Sequence, residues 1–159
     1  MRIAEHIEVD APRALVWEQV TDPARVLDFF AGVTRWEVEG TRRTGLGARY
    51  RMLMRVGSAE VGGLIEVVEF QPECDLAWTS ITGVDQRGRW RLRDGAAGGT
   101  RVELRLQYGV AGGGIWAWLS EQLAGPIVRG NVKRTLAQLK RTVEHERVRN
   151  DAAKRRATR

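Results

Sequence analysis

The sequence has few of the residues on which many small catalytic and metal-binding sites depend. It contains one cysteine, Cys74, and two histidines, His6 and His145, among 159 residues. A single cysteine excludes an internal disulfide, and one cysteine with two histidines is too few for a structural zinc site. We therefore expect neither a disulfide framework nor a metal site.

Long apolar runs are also missing. No uninterrupted apolar segment approaches the roughly 18–20 residues that cross a bilayer, and residues 1–10 mix polar and apolar side chains, unlike a secretory signal. The composition is 43% hydrophobic and 29% charged, which is ordinary for a folded domain. These patterns predict a soluble, cytoplasmic protein with no membrane insertion.

The net charge of +6 is concentrated at the C-terminus. Residues 133–159 hold ten of the 26 basic residues and three of the 20 acidic ones, so the rest of the chain is nearly neutral. We expect one domain at 1–147, followed by a basic, disordered tail at 148–159 that solubilises the protein. No specific nucleic-acid partner is expected.

Apolar periodicity predicts the order of the elements. A strand at 3–9 precedes two short helices, which begin after Asp10 and after Asp22 as N-caps. Alternation then predicts six strands. A helical pattern runs from Ile115 to about Arg147, and Gly125-Pro126 should interrupt it. The six predicted strands are 34–39, 48–56, 60–69, 75–82, 87–94 and 100–109. The order predicts an α+β fold in which a curved, seven-stranded antiparallel sheet wraps around one long helix.

Several motifs along this order are distinctive. They are Ile7-x-Val9-x-Ala11-Pro12-x-x-x-Val16-Trp17, Thr21-Asp22-Pro23, Gly45-x-Gly47-x-Arg49, Val68-Glu69-Phe70-Gln71-Pro72 with Leu76-x-Trp78, Gly98-Gly99-Thr100-Arg101-Val102, and Leu136-x-x-Leu139-Lys140-x-x-x-Glu144. With them, the chain resembles the SRPBCC (START-like) superfamily, particularly its polyketide cyclase/dehydrase and lipid-transport branch. The resemblance implies a helix-grip fold over about residues 1–146, with a cavity between the sheet and the long helix.

The parity of the strands predicts which side chains line this cavity. The candidate ligand-binding residues are Tyr50, Met52, Met54, Ile65, Trp78, Trp90, Leu92, Leu104, Leu106 and Tyr108 from the sheet, and Trp116, Leu119, Leu123 and Ile127 from the helix. Tryptophan and methionine on a concave surface favour an apolar or aromatic ligand. The leading hypothesis is binding or transport of a hydrophobic small molecule, lipid or polyketide-like, by a monomer or homodimer.

Catalytic groups are scarce on the predicted inner face. Tyr50 and Tyr108 are the candidate catalytic residues, with Ser80 beside them. His6, His145, Glu66 and Glu103 are expected on the solvent side, and Gly45-Leu46-Gly47 reads as a turn rather than a dinucleotide loop. The facing of Glu60 and Glu69 stays open, because a bulge could change their parity. An alternative is a polyketide cyclase/dehydrase that acts in the same cavity without a metal or nucleotide cofactor.

A second alternative is an interaction protein that uses a basic surface. Eight arginines fall on the polar faces of the strands, where parity places only Glu66 and Glu103 opposite them. They are Arg49, Arg51, Arg55, Arg89, Arg91, Arg93, Arg101 and Arg105. Such a stripe would bind RNA or an acidic protein.

Overall fold

The computed structural model describes residues 1–109 and 124–158, and the structural statements below concern these residues. The strands are β1 Arg2–Val9, β2 Val33–Glu39, β3 Arg49–Val56, β4 Ala59–Gln71, β5 Asp75–Ser80, β6 Gln86–Asp94 and β7 Thr100–Tyr108. The helices are α1 Arg13–Thr21, α2 Val26–Phe29 and α3 Ala124–Ala157.

All seven strands form one antiparallel sheet in the order β1-β7-β6-β5-β4-β3-β2. The predicted α+β helix-grip architecture is confirmed. A bulge interrupts the pairing of β4 with β5 between Val67, which pairs with Trp78, and Glu69, which pairs with Ala77. The extra residue, Val68, turns Glu69 to the outer face of the sheet, which settles the facing that parity left open.

The core lies between the inner face of the sheet and the helices. One face of α3 is buried against it, at Val128, Val132, Leu136, Leu139 and Val143. Their three- and four-residue spacing follows the helical period, so one continuous apolar stripe covers part of the sheet. The shorter helices α1 and α2 close the groove beside α3.

The C-terminal end of α3 differs from the prediction. The predicted start at Ile115 lies outside the described residues, and in α3, which is described from Ala124, Pro126 lies in the first turn, where a missing N–H costs no helical hydrogen bond. The helix continues to Ala157 rather than stopping near Arg147, so the segment predicted to be a disordered tail is helical. Residues 152–158 are exposed, and no apolar contact was available in the sequence to signal this extension.

Asp10 does not cap α1, contrary to prediction; Pro12 occupies the N-cap position. Asp10 instead joins the end of β1 to α3. Its backbone N–H donates to Glu144 Oε1 at 2.9 Å, and its carboxylate pairs with Arg147 at 2.5 Å. Burial opposes ionisation of Glu144, but hydrogen bonds from Lys140 and from the Asp10 N–H outweigh it and lower the pKa of this carboxyl.

Asp22 does not cap α2 either. The N-cap position of α2 belongs to Arg25, which makes no capping hydrogen bond through its side chain. Oδ1 of Asp22 accepts a hydrogen bond from the Ala24 N–H at 2.9 Å, so the aspartate stabilises the turn that precedes the helix. Asp-Pro predicts a local turn here correctly but places the start of the helix too early.

Candidate functional site

An apolar cavity lies between the inner face of the sheet and the α1–α2 segment. Its walls are Val20, Thr21, Pro23, Val26, Phe29, Phe30, Trp36, Tyr50, Ile65, Val67, Leu76, Trp78 and Trp90. Its volume of about 20 Å³ holds roughly one water molecule. Ligand sites usually occupy about 300–1,000 Å³, so a ligand enters this cavity only if side chains move apart.

A cluster of stacked aromatic rings forms much of the wall. Trp36 lies between Tyr50, at a centroid distance of 5.0 Å, and Phe30, at 6.4 Å, with both pairs nearly parallel. Phe29 and Phe30 meet Trp90 edge to face at 6.1 and 6.0 Å. The two phenylalanines come from the end of α2, so a single helical turn supplies one side of the cluster and the sheet supplies the other.

Trp78 is fixed by its neighbour on β6. A Cβ atom added to Gly88 would lie 1.9 Å from Cζ2 of the indole, so the ring occupies the space that a side chain would fill. Trp78 is 4% exposed. Glycine at this position therefore allows the large ring to lie flat against the sheet backbone.

The polar side-chain groups of the cavity wall are the hydroxyls of Thr21 and Tyr50 and the indole N–H groups of its tryptophans. The Tyr50 hydroxyl donates to the backbone carbonyl of Arg43 at 2.5 Å, and burial raises the pKa of this phenol to about 12, against a smaller opposing effect of Arg43. The Nε1 atoms of Trp36 and Trp78 are buried and have no hydrogen-bond partner in the part of the chain that the structure describes. Tyr50 is therefore a neutral phenol at physiological pH.

Two further polar side chains, Gln86 on β6 and Tyr108 on β7, lie on the inner face and contact methionines of β3. The Tyr108 hydroxyl lies 3.4 Å from Met54 Sδ, and the Gln86 amide donates to Met52 Sδ at 3.1 Å. Burial raises the pKa of Tyr108. Gln86 is 4% exposed and was missed by the sequence analysis, although the inward period of Trp90 and Leu92, extended backwards, reaches it.

The sheet residues predicted to face inward do so. All ten are buried: Tyr50, Met52, Met54, Ile65, Trp78, Trp90, Leu92, Leu104, Leu106 and Tyr108. Of these, Tyr50, Ile65, Trp78 and Trp90 line the cavity described above. Trp36, Phe29 and Phe30 also line it and were not predicted, although Trp36 shares its parity with Val38 on β2.

Of the four helical residues predicted to line the cavity, Ile127 alone is among the described residues. Trp116, Leu119 and Leu123 lie outside the described residues. Ile127 is 39% exposed, while Val128 is 3% exposed. The inward placement of Ile127 is therefore wrong by one position: Val128, four residues before Val132, occupies the buried stripe.

Carboxylate and imidazole groups are absent from the wall of this cavity as far as the described residues extend. His6 and His145 are not among the buried residues, as predicted. Glu66 pairs with Arg49 at 2.7 Å and Glu103 with Arg105 at 2.6 Å, both on the outer face. The described walls therefore offer neutral hydrogen bonding rather than a carboxylate or imidazole base.

The arginines of the outer-face stripe are paired with carboxylates of the same chain. Each of its eight arginines lies within 4.0 Å of a carboxylate, from Glu8, Glu39, Glu60, Glu66, Glu69, Asp75 or Glu103. Asp75 alone faces Arg89, Arg91 and Arg93 at 3.6, 3.6 and 3.0 Å. The expectation of only two opposing acids is wrong, because cross-strand register and the β4 bulge bring others alongside.

Metal-ligand clusters and membrane-spanning helices are both missing from the part of the chain that the structure describes. No three potential metal ligands cluster there. None of the helices in ranges 1–109 and 124–158 combines the length and hydropathy needed to span a membrane.

The sequence matches a known protein family. A family model described as polyketide cyclase/dehydrase and lipid transport matches residues 1–144. The chain belongs to this family. No curated protein matches it significantly in sequence. The SRPBCC resemblance inferred from the motifs is thereby confirmed.

Solved structures share the polyketide cyclase-type fold at low identity. TTHA0849 from Thermus thermophilus is 23% identical, with a TM-score of 0.76 over 90% of this chain and 97% of that one. The ZhuI aromatase/cyclase from Streptomyces sp. R1128 is 19% identical, with a TM-score of 0.76 over 91% and 93%. DynU16, from the dynemicin biosynthetic locus, is 21% identical, with a TM-score of 0.61 over 90% of this chain and 47% of that one. These similarities establish the shared fold.

Proposed function

We propose that this protein binds a hydrophobic small molecule, lipid or polyketide-like, on the inner face of its sheet. The observation that carries the proposal is the aromatic cavity formed by Trp36, Tyr50, Trp78 and Trp90 opposite α2. Broad aromatic walls bind flat or apolar ligands through dispersion and burial of apolar area. The family and the aromatase/cyclase neighbour support a ligand site on this face.

The small volume of the cavity requires that one wall moves when a ligand enters. The α2 wall is the best suited. It consists of one turn, Val26–Phe29, whose N-terminus has no side-chain cap. Opening it breaks few backbone hydrogen bonds, whereas moving Trp78 or Trp90 would distort central strands.

Binding of the neutral dye N-phenylnaphthylamine tests the proposal through a cavity-filling variant. Val26 is 4% exposed and lines the cavity, so Val26→Phe should reduce dye affinity at least tenfold. Val148→Phe is the matched control, since Val148 is 67% exposed on α3 and should leave affinity unchanged. Absence of saturable binding, or equal affinity in both variants, contradicts the proposal. Native mass spectrometry of protein purified from its host would identify a retained ligand.

A catalytic role in the same cavity is the second candidate. Tyr50 favours it, because its buried phenol stays neutral and could assist enolisation or dehydration by donating to a ligand carbonyl in place of the Arg43 carbonyl that it now contacts. Dehydrative cyclisation of a synthetic poly-β-ketone, followed by ultraviolet absorbance, tests this role. Tyr50→Phe should slow the reaction at least tenfold while dye binding persists. Equal rates with and without protein would leave binding alone.

A further inference from the structure

Two buried indole groups in the cavity lack hydrogen-bond acceptors. The Nε1 atoms of Trp36 and Trp78 have no hydrogen-bond partner within residues 1–109 and 124–158, and both side chains line the same cavity. About nine in ten buried polar groups in proteins are paired, because an unpaired one loses its hydrogen bond to water without replacement. Two such donors at one apolar site call for an explanation beyond packing.

Neither ring is free to turn toward an acceptor of the protein. Trp36 is stacked between Tyr50 and Phe30. Trp78 fills the space above Gly88, where even a methyl group would overlap it. The packing therefore holds both N–H groups in place without supplying an acceptor.

One buried water does not account for both donors. The cavity volume of about 20 Å³ holds roughly one water, and a buried water needs two to four polar partners. Trp36 is on β2 and Trp78 on β5, three strands away in the sheet order. A water that accepted from both indoles would still have two O–H groups to donate into this largely apolar wall.

We propose that the cavity takes a flat, conjugated ligand whose carbonyl oxygens accept hydrogen bonds from Nε1 of Trp36 and of Trp78. This inference rests on the proposed function and narrows its ligand class. A saturated acyl chain has no acceptor along its length and would leave both donors buried and unpaired. A conjugated ketone matches the aromatic walls with its face and the indole N–H groups with its oxygens.

A pair of isosteric probes tests the proposal. Acetylnaphthalene and isopropenylnaphthalene, used as the same isomer, differ only in a carbonyl oxygen in place of a methylene carbon. The wild-type protein should bind the ketone about tenfold more tightly, as expected for one satisfied donor. The indole N–H resonances of isotope-labelled protein should report the contact: the ketone should shift signals of Trp36 or Trp78 downfield, and the alkene should not.

Phenylalanine variants remove the donors and keep an aromatic ring. Trp36→Phe or Trp78→Phe should reduce the ratio of ketone affinity to alkene affinity toward one, whatever the change in the affinity for either probe alone. Trp17→Phe is the matched control, because Trp17 packs on Phe70 outside the cavity and should retain the preference. The wild-type comparison needs no variant to fold.

The outcomes separate the inference from the function on which it rests. Equal affinity of the two probes for the wild-type protein, or a preference that survives in both phenylalanine variants, overturns the donor role and leaves hydrophobic binding intact. If neither probe nor the dye binds, the proposed function fails and the donor role falls with it.

Discussion

The two faces of the sheet differ in how their polar side-chain groups are paired. On the outer face, each of the eight stripe arginines has a carboxylate within 4.0 Å, and buried Asp75 faces three of them. On the inner face, the indole N–H groups of Trp36 and Trp78 are buried without an acceptor among the described residues. The outer-face charges are paired within the chain, although Asp75 Oδ1 and Arg91 Nε make no hydrogen bond there, whereas the unpaired groups of the inner face are neutral donors of cavity-lining residues.

This difference helps to locate function. Charged side chains are conspicuous in the sequence, and the arginine stripe suggests a binding surface until its partners are known. The structure shows that those charges are used internally. Tryptophan looks like ordinary core in the sequence, yet Trp36 and Trp78 line an apolar cavity with unpaired N–H groups, and this is where we propose that a ligand binds.

The rigidity of the inner face is tested most strongly at Gly88. Gly88→Ala would place a methyl group 1.9 Å from the Trp78 ring, so we expect a loss of about 3 kcal/mol of unfolding free energy. Gly130→Ala is the control, since no atom lies within 4 Å of its added Cβ in α3. It should gain up to about 1 kcal/mol from helix propensity. Urea denaturation measures both. A near-neutral Gly88→Ala would mean that Trp78 yields easily and the cavity expands from the sheet side.

The pairing of charges on the outer face is tested at Asp75, which is 5% exposed. Asp75→Ala leaves three guanidinium groups without their shared partner and should cost about 2 kcal/mol. The value is below that of a fully buried pair because the arginines are 36–43% exposed and solvent screens them. Glu66→Ala, which removes a more exposed partner of Arg49, should cost about 0.5 kcal/mol. If the two variants unfold at the same urea concentration, Asp75 has no special role.

Tyrosine ionisation tests the burial of the inner face directly, because the chain has two tyrosines and both are buried. In Tyr108→Phe, the remaining Tyr50 should titrate near pH 12 rather than near the ordinary pKa of about 10. Since the folded pKa is the higher one, stability is retained below pH 10 and falls as pH rises from about 10 through 12. Absorbance of tyrosinate in the folded protein measures the midpoint. Ionisation near pH 10 would show that the cavity is open to solvent.

The sequence predicts which face of the sheet a side chain occupies better than it predicts which side chains lie beside it. Alternation along a strand is local, so the inward placement of Trp78, Trp90 and Tyr108 could be read directly. Which carboxylate lies beside an arginine depends on strand register, and the bulge at Val68 that brings Glu69 to Arg89 has no clear local signal. The unpaired state of an indole depends on everything around it, so no sequence pattern contains it.

The end of α3 should contribute least to stability. Residues 152–157 are helical yet exposed, and the contacts that hold the helix to the end of β1 use Glu144 and Arg147, which precede them. Deletion of 152–159 removes four basic residues and no apolar contact, so the unfolding free energy should change by less than about 0.5 kcal/mol. Arg147→Ala is the comparison within the same helix and should cost up to about 1 kcal/mol, because its pair with Asp10 is solvent-exposed. Urea denaturation at low and moderate salt measures both variants. A larger, salt-sensitive loss on deletion would show that the basic end contacts the folded body, and the outer surface would then owe part of its charge balance to this segment.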